Sequence, residues 1–203
     1  MAEPPRAGRF ISFEGIDGSG KSTQARILAE RLGALLTREP GGSAGAEEIR
    51  RLLVAGDAGR WSAETEILLF TAARRDHIER VILPALERSE TVICDRFADS
   101  TRVYQGAARA DLRAMVDTLH DLAIGIEPDL TLIIDTDPAA ALERGLARGN
   151  GEDRFEGMGM AFQQRLAEGF RALAQEVPSR CRLIDGRGTP AEVAERVWQA
   201  VSA

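Results

Sequence analysis

The chain has 203 residues, of which 44% are hydrophobic and 29% charged, and its formal net charge at pH 7 is -6. This composition is typical of one soluble domain with a packed core, and the acidic balance argues against a protein that binds nucleic acid broadly. Two cysteines without metal-ligand spacing predict neither a disulfide framework nor a zinc site, and no apolar run is long enough for a membrane span. We therefore expect a cytoplasmic protein with a loose tail over residues 1–8 and a single domain over 9–203.

Strand and helix patterns alternate along the chain, which predicts an α/β domain. The first strand, 9–13, leads through a glycine-rich turn into a helix over Ser22–Leu36. The nearly continuous apolar runs suit a parallel sheet with helices on both faces. In chain order, the remaining predicted elements are a strand at Leu35–Thr37, a helix at Ala63–Arg88 that ends or kinks near Pro84, a strand at Thr91–Asp95, a helix at Leu112–Ile126, a strand at Leu130–Asp135, helices at Pro138–Arg148 and Met160–Val177, a strand at Arg182–Ile184 and a helix at Pro190–Val201.

The turn after the first strand matches the phosphate-binding pattern GxxxxGK[ST] from Gly15 to Ser22. It follows a predicted strand and opens a predicted helix, which is the context that this pattern requires. Glycines let backbone N–H groups surround a phosphate, and the helix N-terminus adds partial positive charge. We expect the loop to bind ATP through Gly15, Ile16, Asp17, Gly18, Ser19, Gly20, Lys21, Ser22 and Thr23.

Lys21 is the one lysine among the 26 basic residues of the chain. Genomic composition explains the excess of arginine but leaves this exception unexplained. A compact ammonium can follow a transferring phosphoryl group inside a tight backbone loop, whereas a planar guanidinium needs a fixed set of acceptors. The phosphate loop therefore accounts for the lysine, and we expect Lys21 to act in catalysis.

Several further motifs follow the loop in a fixed order. The Asn-Lys-x-Asp signature of guanine-specific switches is absent, since the one asparagine, Asn150, precedes a glycine. The motifs are Arg38-Glu39-Pro40-Gly41-Gly42, Glu47-Glu48-Ile49-Arg50, Leu69-Phe70-Thr71-Ala72-Ala73-Arg74, Asp95-Arg96-Phe97 and Ser100-Thr101-Arg102-Val103-Tyr104-Gln105-Gly106. Taken together with the loop and in this order, they resemble bacterial thymidylate kinase from Phe10 to Val201.

The resemblance implies a three-layer P-loop NTPase fold with a five-stranded parallel sheet, helices on both faces and a short lid. It also implies transfer of the ATP γ-phosphoryl group to dTMP with Mg²⁺, a step in dTTP synthesis, by a homodimer. Nucleic acid and membranes are not expected partners.

The resemblance further assigns a set of residues to the dTMP site. Phe70 would stack on thymine, Arg74 would hydrogen-bond the base, and Tyr104 would crowd the sugar 2′ position. From the residues alone, a core position for Phe70 is the stronger interpretation, because Ile67, Leu68 and Leu69 precede it in one helix. The full set implied for dTMP is Asp17, Glu39, Arg50, Phe70, Arg74, Arg96, Thr101, Tyr104 and Gln105.

Catalysis and metal binding are assigned on the same basis. Arg96 would grip the acceptor phosphate, Asp17 would contact the acceptor sugar or the metal shell, and Ser22 and Asp95 would hold Mg²⁺. A structural Asp95–Arg96 ion pair and a solvated loop acid at Asp17 remain the alternatives. The loop at 186–189 is matched to the adenine site by position alone.

A polar, glycine-containing segment at 149–154 is typical of a movable lid, which we place at about 148–157. Some members of the family carry an arginine inside the phosphate loop, but the corresponding position here is Gly18 or Ser19. The missing charge is therefore expected from Arg148, Arg154 or Arg144, in that order. A solvated helix face is the alternative for each.

Two other functions stay open at this point. A deoxynucleoside kinase shares the fold, the phosphate loop and a carboxylate-arginine pair after the third strand. A regulatory protein that hydrolyses ATP to change shape would need no acceptor at all. His77 and His120 are interpreted as surface or packing residues, and Cys94 as a buried strand residue.

Overall fold

The computed structural model describes residues 8–54, 56, 59–109, 112–146 and 158–202. Within them lies a five-stranded sheet in the order β2-β3-β1-β4-β5, and every neighbouring pair is parallel. The predicted α/β class and the five-stranded parallel sheet are confirmed. The strands are β1 Phe10–Glu14, β2 Leu35–Arg38, β3 Val92–Asp95, β4 Leu130–Asp135 and β5 Cys181–Asp185.

Helices connect the strands and cover the sheet. Parallel neighbours require such crossovers, and all five residues of β1 are buried, as expected for a strand covered on both faces. The helices are α1 Lys21–Leu32, α2 Ala44–Val54, α3 Ala63–His77, α4 Leu83–Glu87, α5 Ala98–Thr101, α6 Arg113–Ala123, α7 Pro138–Leu146, α8 Met160–Glu176 and α9 Pro190–Ser202, with π-helices at Ile78–Ile82 and Arg102–Arg109.

Apolar side chains from the sheet and its helices form the core. One cluster joins Ile11 and Phe13 of β1 to α1 and α9. Another places Phe10 and Cys94 against the segment 78–86. A third cluster joins β4 to α8 and to the π-helix that carries Tyr104. The core therefore fixes both β1, which leads into the phosphate loop, and the helical segment after β3, which contacts that loop through Arg96.

The structure departs from the sequence prediction most clearly at three places. Helix α1 stops at Leu32 because Gly33 takes a left-handed conformation, with φ of 62°. Helix α2, with Ala46 and Leu53 buried, is not predicted as an element. The kink predicted near Pro84 is a π-helix, in which the N–H of Leu83 donates to the carbonyl of Ile78. A wider turn fits there because proline cannot donate and crowds the preceding turn.

Other predicted features fall outside the described residues. These are residues 1–7 of the predicted tail and the whole of the predicted lid, with Arg148 and Arg154. None of the described helices has the length and apolar character that crossing a bilayer requires.

Candidate functional site

The phosphate loop joins β1 to α1 through glycines that no other residue could replace without strain. Gly18 has φ of 78°, and a Cβ there would lie 1.9 Å from the carbonyl oxygen of Ala141. Gly20, with φ of 94°, begins α1 in a left-handed conformation. The loop is thus pressed against α7, and its backbone turns at the N-terminus of a twelve-residue helix, where anions bind favourably.

Asp17 joins the loop to the segment after β3. Its carboxylate accepts hydrogen bonds from Arg96 at 2.5 Å and from the Tyr104 hydroxyl at 2.9 Å. The Lys21 ammonium lies 3.4 Å from the same carboxylate. Burial alone would raise the pKa of Asp17, but Arg96, then Lys21 and Tyr104 lower it well below its usual range. Asp17 is therefore an ionised contact between two cations, and the alternative of a solvated loop acid is wrong.

Arg96 is placed by an unusual backbone and by several acceptors. Its φ is 72°, a left-handed conformation that is uncommon for a residue with a side chain. The guanidinium donates to the Gly15 carbonyl at 3.1 Å and to the Ser100 hydroxyl at 2.8 Å, besides Asp17. These contacts hold the guanidinium beside the phosphate loop.

A buried carboxylate holds the segment from Arg96 to Ser100 in place. Glu14, the last residue of β1, accepts from the backbone N–H of Phe97 at 2.8 Å and from the Ser100 hydroxyl at 2.6 Å. Burial, followed by the negative charge of Asp99, raises the pKa of Glu14 to about 7, while Arg96 and these hydrogen bonds act in the opposite direction. Glu14 and Ser100 thus order the segment that presents Arg96.

Helix α3 supplies one wall of the site. Phe70 is only partly buried and lines the cleft, so the core position favoured by the residues alone is wrong. Arg74, one turn further, is 3% exposed. Its guanidinium donates to Glu39 at 2.7 Å and to the Thr101 hydroxyl at 3.0 Å. An aromatic ring and a fixed donor therefore face the same space.

Glu39 also connects to His77 behind the cleft. The Nδ1 atom of His77 lies 3.1 Å from the Glu39 carboxylate, and its Nε2 atom lies 2.7 Å from the Thr37 hydroxyl. His77 is fully buried, so a packing role is confirmed and a surface one is wrong. Cys94 lies close enough for the three side chains to suggest a metal site. Arg74 and these hydrogen bonds already engage Glu39 and His77, and the Cys94 thiol donates to the Arg96 carbonyl at 3.0 Å. The group positions Glu39, and through it Arg74.

A third arginine reaches the cleft from α2. Arg50 donates to the carbonyl oxygen of Pro40 at 2.6 Å. Beside it, Glu47 accepts from the Gly42 N–H at 2.9 Å and from Arg38 at 3.0 Å. Helix α2 therefore holds the loop after β2 against the cleft.

These side chains line one cleft of about 350 Å³ at the carboxyl ends of the central strands, where ligands bind in open parallel sheets. Every residue predicted for dTMP is among its lining residues. The lining comprises Asp17, Lys21, Ser22, Arg38, Glu39, Pro40, Arg50, Val54, Phe70, Arg74, Asp95, Arg96, Phe97, Ser100, Thr101, Tyr104 and Gln105.

The donor set of this cleft fits a hard cation. Asp95 Oδ1 is buried without a hydrogen-bond partner among the described residues. Ser22, with an exposed side chain, lines the same cleft. A carboxylate and a hydroxyl are ligand types that Mg²⁺ accepts beside nucleotide phosphates. Asp95 also makes no ion pair with Arg96 among the contacts described, so the structural pair is not supported.

Two features predicted for the ATP side, Arg144 and the loop at 186–189, lie near the phosphate loop, away from the cleft described above. Arg144 of α7 donates to the carbonyl oxygen of Gly18 at 2.9 Å. The loop at 186–189 adjoins Thr136, because a Cβ on Gly186 would lie 2.4 Å from that hydroxyl. Thr136 in turn donates to the Ser19 carbonyl at 3.3 Å. Both features are therefore close to the expected ATP side.

Sequence reasoning missed Glu14, Ser100 and Glu66 as supporting residues. Glu66 is fully buried and accepts from the Gln105 amide at 3.1 Å. A carboxylate at the end of an apolar strand, and one within an apolar helix face, were the available signals. Neither reveals its partner, because each partner is distant along the chain.

The comparisons with known proteins agree with this geometry. A sequence model described as thymidylate kinase matches residues 13–197. The chain is 67% identical to the thymidylate kinase of Dinoroseobacter shibae, over 97% of this chain and 96% of the relative. It is 61% identical to that of Ruegeria pomeroyi, over 96% and 94%.

A solved structure gives the same assignment. The crystal structure of thymidylate kinase from Ehrlichia chaffeensis matches with a TM-score of 0.77 and 37% identity, over 96% of this chain and 98% of that one. Family match, full-length relatives and fold agree, and the chain belongs to the thymidylate kinase family.

Proposed function

We propose that this protein transfers the γ-phosphoryl group of ATP to dTMP, giving ADP and dTDP, a step toward dTTP. A 5′-phosphate oxygen of dTMP forms the new bond to the γ-phosphorus as the bond to the ADP oxygen breaks. One observation carries the proposal. Asp17 joins Lys21 of the phosphate loop to Arg96 of a pocket that also contains Phe70 and Arg74.

On the acceptor side, cations replace a catalytic base. The phosphate of a nucleoside monophosphate has a second pKa of about 6, so its attacking oxygen is already largely ionised at neutral pH. Arg96 and Arg50 hold this phosphate, while Tyr104, anchored on Asp17, closes the sugar side. Positioning and charge neutralisation supply most of the acceleration in such transfers.

On the donor side, Lys21 and the backbone N–H groups of the loop from Gly15 to Thr23 hold the phosphates of ATP. Ser22 and Asp95 would hold Mg²⁺, which neutralises phosphate charge when bound. The lid arginines Arg148 and Arg154 belong to the same proposal as donors to the transferring group, and Arg144 supports the loop through Gly18.

On the base side, Phe70 stacks on thymine and Arg74 donates to its carbonyl edge. Stacking of a base on an aromatic ring contributes about 1–3 kcal/mol. Thr101 and Gln105 contact the remaining edge, and Glu39 fixes Arg74 from behind. The thymine methyl group contributes only about 1–3 kcal/mol, so selectivity against dUMP is limited.

The structure disfavours a deoxynucleoside kinase. A nucleoside 5′-hydroxyl needs a general base whose pKa lies near the working pH. Asp17 faces the cleft, but Arg96 and Lys21 lower its pKa far below that range. Arginines around the acceptor suit a phosphate better than a hydroxyl.

An assay of ADP release tests the function. ATP is supplied with dTMP, dUMP, thymidine or dCMP, and the nucleotide products are separated. We expect dTMP to be used best, with dTDP and ADP formed in equal amounts. Preferential use of thymidine would indicate a nucleoside kinase, and ADP without a diphosphate product would indicate an ATPase.

We further propose a cytoplasmic homodimer. Leu68 of α3 and Leu122 of α6 are 52% and 82% exposed, and these two helices are in contact. Exposed leucines on adjoining helices are typical of an interface between copies. Both cysteines are free, as is usual in a reducing compartment.

A further inference from the structure

A buried pair behind the base pocket fixes the orientation of one amide. Gln105 Nε2 donates to Glu66 Oε2 at 3.1 Å, and the two residues are 1% and 0% exposed. A carboxylate only accepts hydrogen bonds, whereas a glutamine amide has a donor end and an acceptor end. With Nε2 turned to Glu66, the Oε1 atom of Gln105 is left as the end that can serve the cleft, which Gln105 lines.

The neighbouring donor is equally fixed. Arg74 is 3% exposed, and its guanidinium is held by Glu39 at 2.7 Å and by Thr101 at 3.0 Å. A guanidinium only donates. Arg74 therefore presents a donor and Gln105 an acceptor. Neither group can exchange these hydrogen-bonding roles while its buried partner is in place.

This pattern distinguishes pyrimidines by the edge that they present. Thymine and uracil carry a carbonyl acceptor at C4 beside an N–H donor at N3. Cytosine carries the reverse, an amino donor at C4 and an acceptor at N3. A buried polar group that meets a group of its own kind loses a hydrogen bond and keeps the desolvation cost.

We infer that Glu66 is a specificity-determining residue that acts through Gln105 and excludes cytosine. It is a positioning residue, since it reaches the base only through the amide that it orients. The inference deepens the proposed function and rests on it.

The test replaces Glu66→Gln, which keeps the size but adds a donor. The new amide can donate to Gln105 Oε1, so Gln105 can turn its NH₂ group toward the base. The kcat/KM values for dTMP, dUMP and dCMP are compared with those of the wild type. We expect the dTMP-to-dCMP ratio to fall by on the order of tenfold, the value of one hydrogen bond.

The dTMP-to-dUMP ratio should stay constant, because these two bases share the edge in question. Glu64→Gln is the matched control, since Glu64 lies on the same helix with an exposed side chain. It should leave all three substrates unchanged. A loss that is equal for all three substrates in Glu66→Gln would show a merely structural role and overturn the inference.

A second pair of variants guards against misfolding. Gln105→Ala, with Glu66 intact, should also lower the dTMP-to-dCMP ratio, and adding Glu66→Gln to it should change the ratio no further. An unchanged ratio in Gln105→Ala, or a further change in the double variant, would overturn the inference. A wild-type enzyme that forms no dTDP would refute the proposed function instead.

Discussion

Lys21 lies in a narrow space that fits a compact ammonium group better than a planar guanidinium. Its side chain is 6% exposed, and its ammonium is 3.4 Å from both Asp17 and the Ile16 carbonyl. A planar guanidinium could not make the same contacts inside the loop. The abundance of arginine elsewhere in the chain sets this lysine apart and supports the role proposed for it.

Lys21→Arg is therefore expected to lower kcat by about a hundredfold or more, because the larger, planar guanidinium keeps the charge but displaces it from its preorganised position. Binding of dTMP should be nearly unchanged, because the role proposed for Lys21 is on the ATP side. Turnover and dTMP affinity are measured separately, by ADP release and by calorimetry. Arg26→Lys, at an exposed position of α1, is the control, and normal turnover in Lys21→Arg would contradict the assignment.

Glu14 gives a prediction on pH and stability. Its folded pKa of about 7 exceeds the ordinary value of 4.5, so the folded state binds the proton more tightly. Its contribution to stability is complete below the ordinary pKa and is lost as the pH rises toward 7. The charges that face it are those of Asp99 and Arg96.

Wild type and Glu14→Gln are compared by urea unfolding from pH 5 to pH 8. The free energy of unfolding of the wild type should fall relative to the variant, by up to roughly 3 kcal/mol. The variant cannot titrate at this position, so the difference isolates Glu14. Parallel curves would show that the carboxyl group does not titrate in this range.

At the scale of elements, the helical segment after β3 is held by buried ions below the cleft. Asp99 is fully buried and accepts from Arg102 at 2.8 Å and from Arg180 at 2.5 Å. Arg180 lies just before β5 and also donates to the Thr131 hydroxyl of β4. The Asp99–Arg180 pair therefore connects α5, which follows β3, to the strands β4 and β5. The segment that carries Arg96 and Gln105 is thus anchored from behind.

Arg180→Ala leaves a buried carboxylate with one partner fewer, which typically costs about 3–5 kcal/mol. We expect a clear loss of thermal stability and a raised KM for dTMP, with kcat less affected. Arg187→Ala is the control, since its pair with Asp185 is at the surface and should contribute nothing measurable. Equal melting temperatures for both variants would refute the anchor.

The sequence predicted β1, β3 and β4 because buried parallel strands are nearly continuous apolar runs. The edge strands β2 and β5 are only partly buried and gave shorter apolar runs. It also placed Asp95 and Arg96 at a strand end, where function is expected. Helix α2 was not predicted, because its position depends on contacts with α3. The π-helix at Ile78–Ile82 depends on Pro84, and the one at Arg102–Arg109 depends on its packing against α6 and α8. Supporting carboxylates such as Glu14 and Glu66 became visible only when distant partners were brought together.

At the scale of the whole molecule, the proposed dimer predicts a change in mass. Leu122→Glu places a charge on an 82% exposed side chain and should leave the monomer fold intact. Light scattering after size exclusion should then show a protein of half the wild-type mass. Leu183→Glu, on β5 with 45% exposure, is the control and should remain a dimer. A wild-type monomer would refute the proposal.

The single lysine also gives the molecule a simple chemical reactivity. Amine-directed reagents find one ε-amino group in the chain, besides the α-amino group at its start. That group is nearly buried beside Asp17, so acylation there is slow, and a bound triphosphate would cover it further. One increment in mass at one peptide therefore reports occupancy of the phosphate loop, without any label introduced by mutation.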